Sequence, residues 1–185
     1  MPWKNIMMHR FLAISLLLSL SICLGDTILG RVTRVLDGDT VDVLTAQQEN
    51  FRIRLNAIDA PEKGQAYGQR ARNFLGDLVY GRNVRVQFSS KDRYGRILGD
   101  IYLGEELVNL KMVEAGLAWH YVMFAKDNKV MATAEAEARA ARRGLWQEPN
   151  PIPPWEFRKQ KRGVSKPTEL PQKSFSPESV QDHLR

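Results

Sequence analysis

The chain has 185 residues, which suits one domain with terminal segments and is too short for two domains of ordinary size. Its formal net charge of +6 is unevenly spread, because residues 26–157 hold 18 basic and 18 acidic side chains and the excess lies outside that range. Net charge is therefore weak evidence for a polyanionic partner, and the single cysteine, Cys23, excludes an intrachain disulfide framework.

The first 25 residues are typical of a signal peptide. Lys4 and Arg10 precede an uncharged apolar run over residues 11–24, which is shorter than the roughly 20 residues of a membrane span. We expect cleavage before Asp26 and an exported protein, periplasmic or extracellular, with no membrane segment in its mature form. Two alternatives stay open: lipid attachment at Cys23 and an uncleaved N-terminal anchor.

Five short segments carry strand patterns with turn signals between them. The second segment follows the turn at Asp37–Gly38, and the fifth contains Gly99, where we expect a bulge or bend. The five segments are residues 27–36, 41–44, 51–57, 82–88 and 97–103.

Helical patterns occupy residues 67–79, 107–116 and 128–144. The last segment is rich in alanine and ends in two arginines and Gly144, as a helix C-terminus does. Three strands, a helix, two strands and two helices predict an α+β, mainly β fold. The order fits a small, five-stranded OB-type barrel with three helices.

The pattern changes after Trp146. Four prolines in QEPNPIPPWEF, residues 147–157, predict an extended, polyproline-II-like strap. Residues 158–185 are polar and lack a hydrophobic period, so we expect a basic, disordered tail. The predicted division is a signal peptide over 1–25, a domain over 26–157 and a tail over 158–185.

The stretch FRIRLNAIDAPE, residues 51–62, supplies two cations and ends in two carboxylates. Strict alternation would send Arg54 and Asp59 to opposite faces of the strand, so we expect a bend near Ala57. A salt-bridged surface would explain the arginines together with Asp59 and Glu62. A site for a phosphate and a metal would explain them equally well.

Asp39 adds a third carboxylate. By the two-residue period it begins on the inward face of Val41 and Val43, at the mouth of the barrel and beside the strand that leads to Asp59. Converging carboxylates repel one another by roughly 4 kcal/mol per close pair at an effective dielectric near 20. A hard divalent cation such as calcium or magnesium would relieve that repulsion.

Four motifs in this order resemble those of the thermonuclease family, the staphylococcal-nuclease-like calcium-dependent phosphodiesterases. They are DGDTVDV, RLNAIDAPE, DRYGRILGDIY, and GLAW with RRGLW. The resemblance runs from about Ile28 to Trp146. It implies an OB-fold barrel with three helices and a secreted bacterial nuclease of the micrococcal type, a hydrolase that cuts phosphodiester bonds in DNA and possibly RNA.

The resemblance implies a calcium site and a catalytic set. Asp39 and Asp59 would hold calcium together with the backbone carbonyl of Ala60, where the family usually has threonine. Glu62 would be the glutamate that activates or orients the attacking water. Arg54 and Arg96 would be the two phosphate-binding arginines. Arginine suits the phosphate because its planar fork meets two oxygens and never deprotonates.

The resemblance also implies substrate contacts. Arg93 and Tyr94 match a basic residue and a tyrosine that hold a terminal phosphate. The family's nucleobase-stacking tyrosine pair is not cleanly reproduced, and Tyr121 and Phe124 are the candidates. The loop between Glu62 and the first helix is several residues shorter than in the staphylococcal enzyme.

The main alternative is a non-catalytic OB module that binds single strands or proteins, since a fold alone does not imply activity. A structural or adhesive envelope protein is the third possibility, and it gives no reason for the acid and arginine set. The sequence indicates no stable protein partner, so we expect a monomer that meets DNA or RNA as substrate. The basic run at 158–162 is either an ordinary solvated segment or one that raises the local concentration of nucleic acid.

Two further predictions concern packing. His120 has no second histidine or cysteine nearby, so a packed or surface histidine is favoured over a metal ligand. The three tryptophans of the C-terminal half are expected to pack helices and the strap: Trp119, Trp146 and Trp155.

Overall fold

The computed structural model describes residues 26–164 of the chain. The predicted signal peptide and residues 165–185 of the predicted tail lie outside the described residues. Within residues 26–164, no helix is long and apolar enough to cross a membrane.

The strands follow the predicted order, with three short strands added. They are β1 (Asp26–Val35), β2 (Thr40–Thr45), β3 (Asn50–Leu55), β4 (Ile58–Asp59), β5 (Asn83–Lys91), β6 (Ile97–Leu103), β7 (Glu106–Leu107) and β8 (Trp119–His120). The helices are α1 (Gly68–Val79), α2 (Val108–Glu114), α3 (Val122–Ala125), α4 (Lys129–Ala140), a 3₁₀ turn (Gly144–Gln147) and α5 (Pro154–Val164).

The sheet closes into a barrel. Antiparallel pairing joins the strands in the order β3-β2-β1-β5-β6, and a parallel pairing of β3 with β6 completes the ring. In that parallel pair Ile53 lies opposite Ile97 and Leu55 opposite Gly99. The predicted five-stranded OB-type barrel is confirmed.

The barrel interior is filled by alternate residues of its strands. Val41, Val43 and Ile53 are fully buried, as the two-residue period requires. Gly99 leaves room for its neighbours, because a Cβ there would lie 2.6 Å from Val86 Cγ1. An irregularity lies beside Gly99, but the extra residue is on the facing strand. The pairing of β5 with β6 shifts between Phe88, which lies opposite Gly99, and Ser90, which lies opposite Leu98.

The three predicted helices are all present. On α1 the buried residues Ala71, Leu75 and Val79 recur every four positions and pack against the barrel. On α4 the Asn128 side chain accepts the Met131 N–H at 3.1 Å and caps the helix.

The expectation for the C-terminal strap is corrected by the structure. Residues 154–164 form helix α5, where the sequence predicted an extended strap up to Phe157 and disorder from Arg158. Pro154 suits the first helical position, because its fixed φ fits a helix and its missing N–H would have no partner there. Trp155 packs on Trp119 with ring centroids 5.6 Å apart, which fixes the helix on the domain.

The packing predictions for the tryptophans and His120 agree with the structure. Trp119 and Trp146 meet edge to face at 4.4 Å, and the Arg139 guanidinium lies 3.9 Å from the Trp146 ring centroid. His120 is buried and its Nε2 lies 2.8 Å from the Ala125 carbonyl oxygen. These residues join α4, the 3₁₀ turn and α5 to β8, which pairs with β4.

Candidate active site

Three carboxylates lie at the mouth of the barrel, and we call this set, Asp39, Asp59 and Glu62, the carboxylate pocket. Asp39 stands at the entry to β2, where its own N–H donates to Asp37 Oδ1 at 3.0 Å. The turn before it packs tightly against α1, since a Cβ at Gly38 would lie 2.7 Å from the Cβ atoms of Ala60 and Ala71. The turn therefore holds Asp39 against the segment that carries Asp59.

The expected bend near Ala57 is present. Ala57 has φ of 62°, a left-handed conformation that is unusual for a residue other than glycine. After this reversal, Ile58 and Asp59 form β4, which pairs with β8. The Asp59 side chain is only 1% exposed, and the bend turns it back toward Arg54.

Arg54 lies between the two aspartates of the pocket. Its Nη2 donates to Asp59 Oδ1 at 2.7 Å, and its Nη1 lies 3.2 Å from Asp39 Oδ2. The same Nη1 donates to the Ile58 carbonyl at 3.1 Å. Only 12% of the side chain is exposed, and several N–H groups of the guanidinium already meet carboxylate or backbone carbonyl oxygens.

Arg52, two residues earlier on β3, belongs to a different ion pair. Its Nε donates to Asp42 Oδ1 at 2.8 Å, and Asp42 is buried on β2 opposite it. The sequence allowed two interpretations of this stretch, a salt-bridged surface or a site for a phosphate and a metal. Arg52 belongs to a salt bridge, whereas Arg54 lies in the carboxylate pocket.

Glu62 meets a residue that the sequence did not place in the site. Arg158, on α5, donates from Nη1 to Glu62 Oε1 at 2.6 Å and from Nη2 to Asp59 Oδ2 at 2.7 Å. The basic residues next to Arg158 in the sequence are typical of a solvated tail. The sequence signal that could have indicated a docked helix was Pro154, which suits a first helical position, followed by the large aromatic side chain of Trp155.

Burial disfavours the charged forms of the acids in this region. Burial raises the pKa of Asp37 to about 6, and the nearby charge of Asp39 adds to the effect. Burial and the charge of Asp39 also raise the pKa of Asp59, outweighing the opposite effects of Arg158 and Arg54. Burial lowers the pKa of Arg54, but the charges of Asp39 and Asp59 more than offset it and the pKa is raised. Because burial and mutual repulsion both disfavour the ionised carboxylates, a nearby cation would stabilise their charged forms.

The donor set fits a hard cation. Asp39 and Asp59 offer carboxylate oxygens, and the Ala60 N–H donates to Asp39 Oδ2 at 2.9 Å, which places the Ala60 backbone beside them. No three His, Cys, Asp or Glu side chains of residues 26–164 form a metal-binding group by themselves. A bound ion would therefore need backbone, solvent or substrate oxygens as well, and the calcium ligands remain a prediction.

Arg96 lies in the hairpin turn between β5 and β6, next to Arg93 and Tyr94. Its Nε donates to Asp92 Oδ2 at 2.7 Å. The guanidiniums of Arg93 and Arg96 lie 5.0 and 5.6 Å from the Tyr94 ring centroid, and Tyr94 is 70% exposed. Because β6 runs parallel to β3, this turn leads into the strand beside the one that carries Arg54.

Tyr121 lies just after β8, beside α5. Its ring stacks on Trp155 at 5.5 Å and tilts toward Phe124 at 5.0 Å. Phe124 is largely exposed, while Tyr121 is partly covered. Contact of Tyr121 with a nucleobase remains a prediction.

Comparison with known proteins agrees with the resemblance. Residues 52–148 match the family described as staphylococcal nuclease homologue. The chain is 41% identical to an "uncharacterized endonuclease" of Haemophilus influenzae over 83% of this chain and 88% of that relative. It is 47% identical to an "uncharacterized endonuclease" of Escherichia coli, over 71% and 86%. A "micrococcal nuclease" of Shigella flexneri is 40% identical over 84% and 95%.

Proposed function

The chain belongs to the staphylococcal nuclease homologue family and is a hydrolytic phosphodiester nuclease, and from this premise we propose that it cleaves DNA and RNA internally in a calcium-dependent reaction. The observation that carries the proposal is the buried guanidinium of Arg54, held between Asp39 and Asp59 next to Glu62. A cation held by acids in this way has a fixed orientation before a phosphate binds.

Arg54 and Arg96 would bind the phosphate. Hydrolysis adds negative charge around phosphorus, so cations positioned before the reaction stabilise the transition state more than the ground state. Arg54 is oriented by two carboxylates and Arg96 by Asp92, which limits the geometries that each can adopt. Arg93 and Tyr94, in the same turn as Arg96, would contact a neighbouring phosphate.

Asp39, Asp59 and the Ala60 carbonyl would hold calcium, which supplies Lewis-acid polarisation of the phosphate oxygen when bound. Glu62 would accept a proton from the attacking water or orient that water through a hydrogen bond. Its Oε1 is engaged by Arg158 in the structure, so Glu62 is already turned toward Asp59. Tyr121 would stack on a base of the substrate.

We propose further that the protein is exported and works as a monomer. The support for export is the basic and apolar pattern of residues 1–25. Sedimentation of the protein recovered from the periplasm or medium would test both statements.

The experiment is a cleavage assay on single-stranded DNA, duplex DNA and RNA with protein expressed as the full chain and purified through a C-terminal tag. Calcium is compared with chelator, and wild type with Glu62→Gln and Arg96→Ala. We expect cleavage only with calcium and a loss of kcat of about 10²- to 10³-fold in each variant, the range for removing one group that stabilises a transition state.

Arg52→Gln is the matched control, because Arg52 lies on the same strand but pairs with Asp42 outside the pocket. It should retain kcat. Intact substrate from folded wild-type protein in calcium would refute the enzyme and favour a binding module, whereas equal losses in Arg52→Gln and Arg96→Ala would refute the assignment of the phosphate clamp.

A further inference from the structure

Helix α5 inserts a cation into the carboxylate pocket. The Arg158 guanidinium bridges Glu62 Oε1 at 2.6 Å and Asp59 Oδ2 at 2.7 Å, and its Nη1 also lies 3.3 Å from Asp59 Oδ1. With Arg54 on the other side of Asp59, both oxygens of that buried carboxylate carry arginine hydrogen bonds. The positions from which Asp59 and Glu62 would serve a metal ion and a water are therefore occupied by Arg158.

Charge balance argues that Arg158 and calcium compete. The pocket has three carboxylates and, as the structure stands, two guanidiniums. A calcium ion together with Arg54 carries enough positive charge to match the three carboxylates, so Arg158 is then surplus. Arg158 and a calcium ion would also repel each other where both approached the oxygens of Asp59, whose side chain is only 1% exposed.

The surroundings of Arg158 allow it to leave. About 37% of its side chain is exposed, whereas Arg54 is almost covered. The segment before α5 is anchored independently, because Gln65 Nε2 donates to the Ile152 carbonyl at 2.6 Å and Trp155 packs on Trp119. The arginine can thus withdraw into solvent while the start of the helix stays near the site.

We propose that Arg158 is an internal cation that occupies Asp59 and Glu62 in the calcium-free protein and is displaced when calcium binds, so that helix α5 sets the calcium affinity of the enzyme. The inference rests on the proposed calcium site at Asp39 and Asp59. It gives the C-terminal helix a regulatory role in that site. In the calcium-free state Arg158 would also keep Glu62 from acting on water.

The test measures calcium binding by titration calorimetry on wild type, Arg158→Gln and Lys159→Gln, each expressed as the full chain. We expect Arg158→Gln to bind calcium about five- to tenfold more tightly, in the range of couplings between two sites. Lys159→Gln removes the same charge from the same helix, but Lys159 pairs with Glu156 at 2.7 Å, so its affinity should equal that of wild type. Circular dichroism checks that each variant is folded.

A second readout reports displacement directly. Amide hydrogen exchange over residues 155–164 should speed up in wild type when calcium is added, and Arg158→Gln should exchange fast with or without calcium. Equal calcium affinity in all three folded proteins would overturn the inference and leave the calcium site standing. Absence of calcium binding in every protein, Arg158→Gln included, would overturn the calcium site itself.

Discussion

Asp42 and Asp59 have the same side chain and nearly the same burial, yet their ion-pair partners differ. Asp42 is met by Arg52 at 2.8 Å and Arg34 at 3.7 Å from neighbouring strands, which makes a local ion pair of the barrel wall. Asp59 is met by arginines five and 99 residues away. Residue type and spacing therefore identify candidates, but only the partners separate an acid of the barrel wall from an acid of the carboxylate pocket.

Asp92 provides a pH-dependent test at the residue scale. Its carboxylate accepts the N–H groups of Tyr94 and Arg96 and the Arg96 guanidinium, and although burial works in the opposite direction, these bonds hold its pKa below the usual value. An acid with a lowered pKa in the folded state stabilises the fold above its unfolded pKa, and this stability is lost as pH falls through the folded pKa.

We expect Asp92→Asn to lower the free energy of unfolding at pH 7 by about 0.5 to 1 kcal/mol, the range for a partly solvated ion pair. Asparagine keeps the oxygen that accepts the two backbone N–H groups and replaces the oxygen that accepts from the Arg96 guanidinium, so the change removes the ion pair and keeps the turn. Urea unfolding at pH 7, 5 and 3 should show the difference from wild type shrinking as the pH approaches 3. A difference that is constant over this range would mean that lost geometry, rather than lost charge, is responsible.

At the scale of elements, helix α2 is fixed to the barrel by Asn109. Its Oδ1 accepts the Ile101 N–H at 3.0 Å, and its Nδ2 donates to the carbonyls of Asn56 and Gly99 at 3.0 and 3.1 Å. These groups lie where β3 and β6 meet to close the barrel, just before the bend at Ala57. The side chain is fully buried, so water cannot replace it.

Asn109→Ala should therefore cost about 2 to 4 kcal/mol in the free energy of unfolding, since the buried Ile101 N–H and the Asn56 carbonyl lose this partner and the Gly99 carbonyl keeps only the Asn56 N–H. Chemical denaturation measures it. Lys111→Ala on the same helix is the control and should change stability by less than about 0.5 kcal/mol, because that side chain is substantially exposed. Similar effects of the two variants would show that helix propensity, and not the Asn109 network, accounts for the loss.

The sequence predicted the elements of the barrel better than those around it. Strand alternation and turn residues are local patterns, and α1, α2 and α4 carry a regular apolar face. Helix α5 was missed because its stability comes from contacts made with distant elements: Trp155 on Trp119 and Tyr121, and Arg158 on the carboxylate pocket. The short strands β4 and β8 exist only through pairing with each other.

At the scale of the whole molecule, the basic run of the C-terminal segment falls within the domain. Lys159, Lys161 and Arg162 lie on α5, while residues 165–185 contain three basic and three acidic side chains. Any sequence-independent attraction of nucleic acid by this end of the chain should therefore come from the helix. Each phosphate contact adds a salt-sensitive contribution to affinity.

We expect removal of residues 165–185 to leave KM for DNA unchanged at low and at high salt. The double variant Lys159→Gln/Lys161→Gln should raise KM about two- to fivefold at low salt and have little effect at high salt, where these charges are screened. Steady-state kinetics at two salt concentrations distinguishes attraction of DNA by α5 from attraction by residues 165–185. A rise in KM on truncation alone would assign the attraction to the segment beyond α5.

The sequence by itself determined the barrel, the order of its strands and the family, because alternation, turns and four short motifs are written in contiguous residues. It also predicted that Asp39 and Asp59 lie close together, since Asp39 directly precedes the β2–β3 hairpin and Asp59 follows it on β4. The tertiary structure alone decided that Arg54 lies between Asp39 and Asp59, and that Arg158 reaches Asp59 across 99 residues. Contacts of this kind depend on how separate elements pack, and packing between distant segments leaves no periodic pattern in the residues that make it.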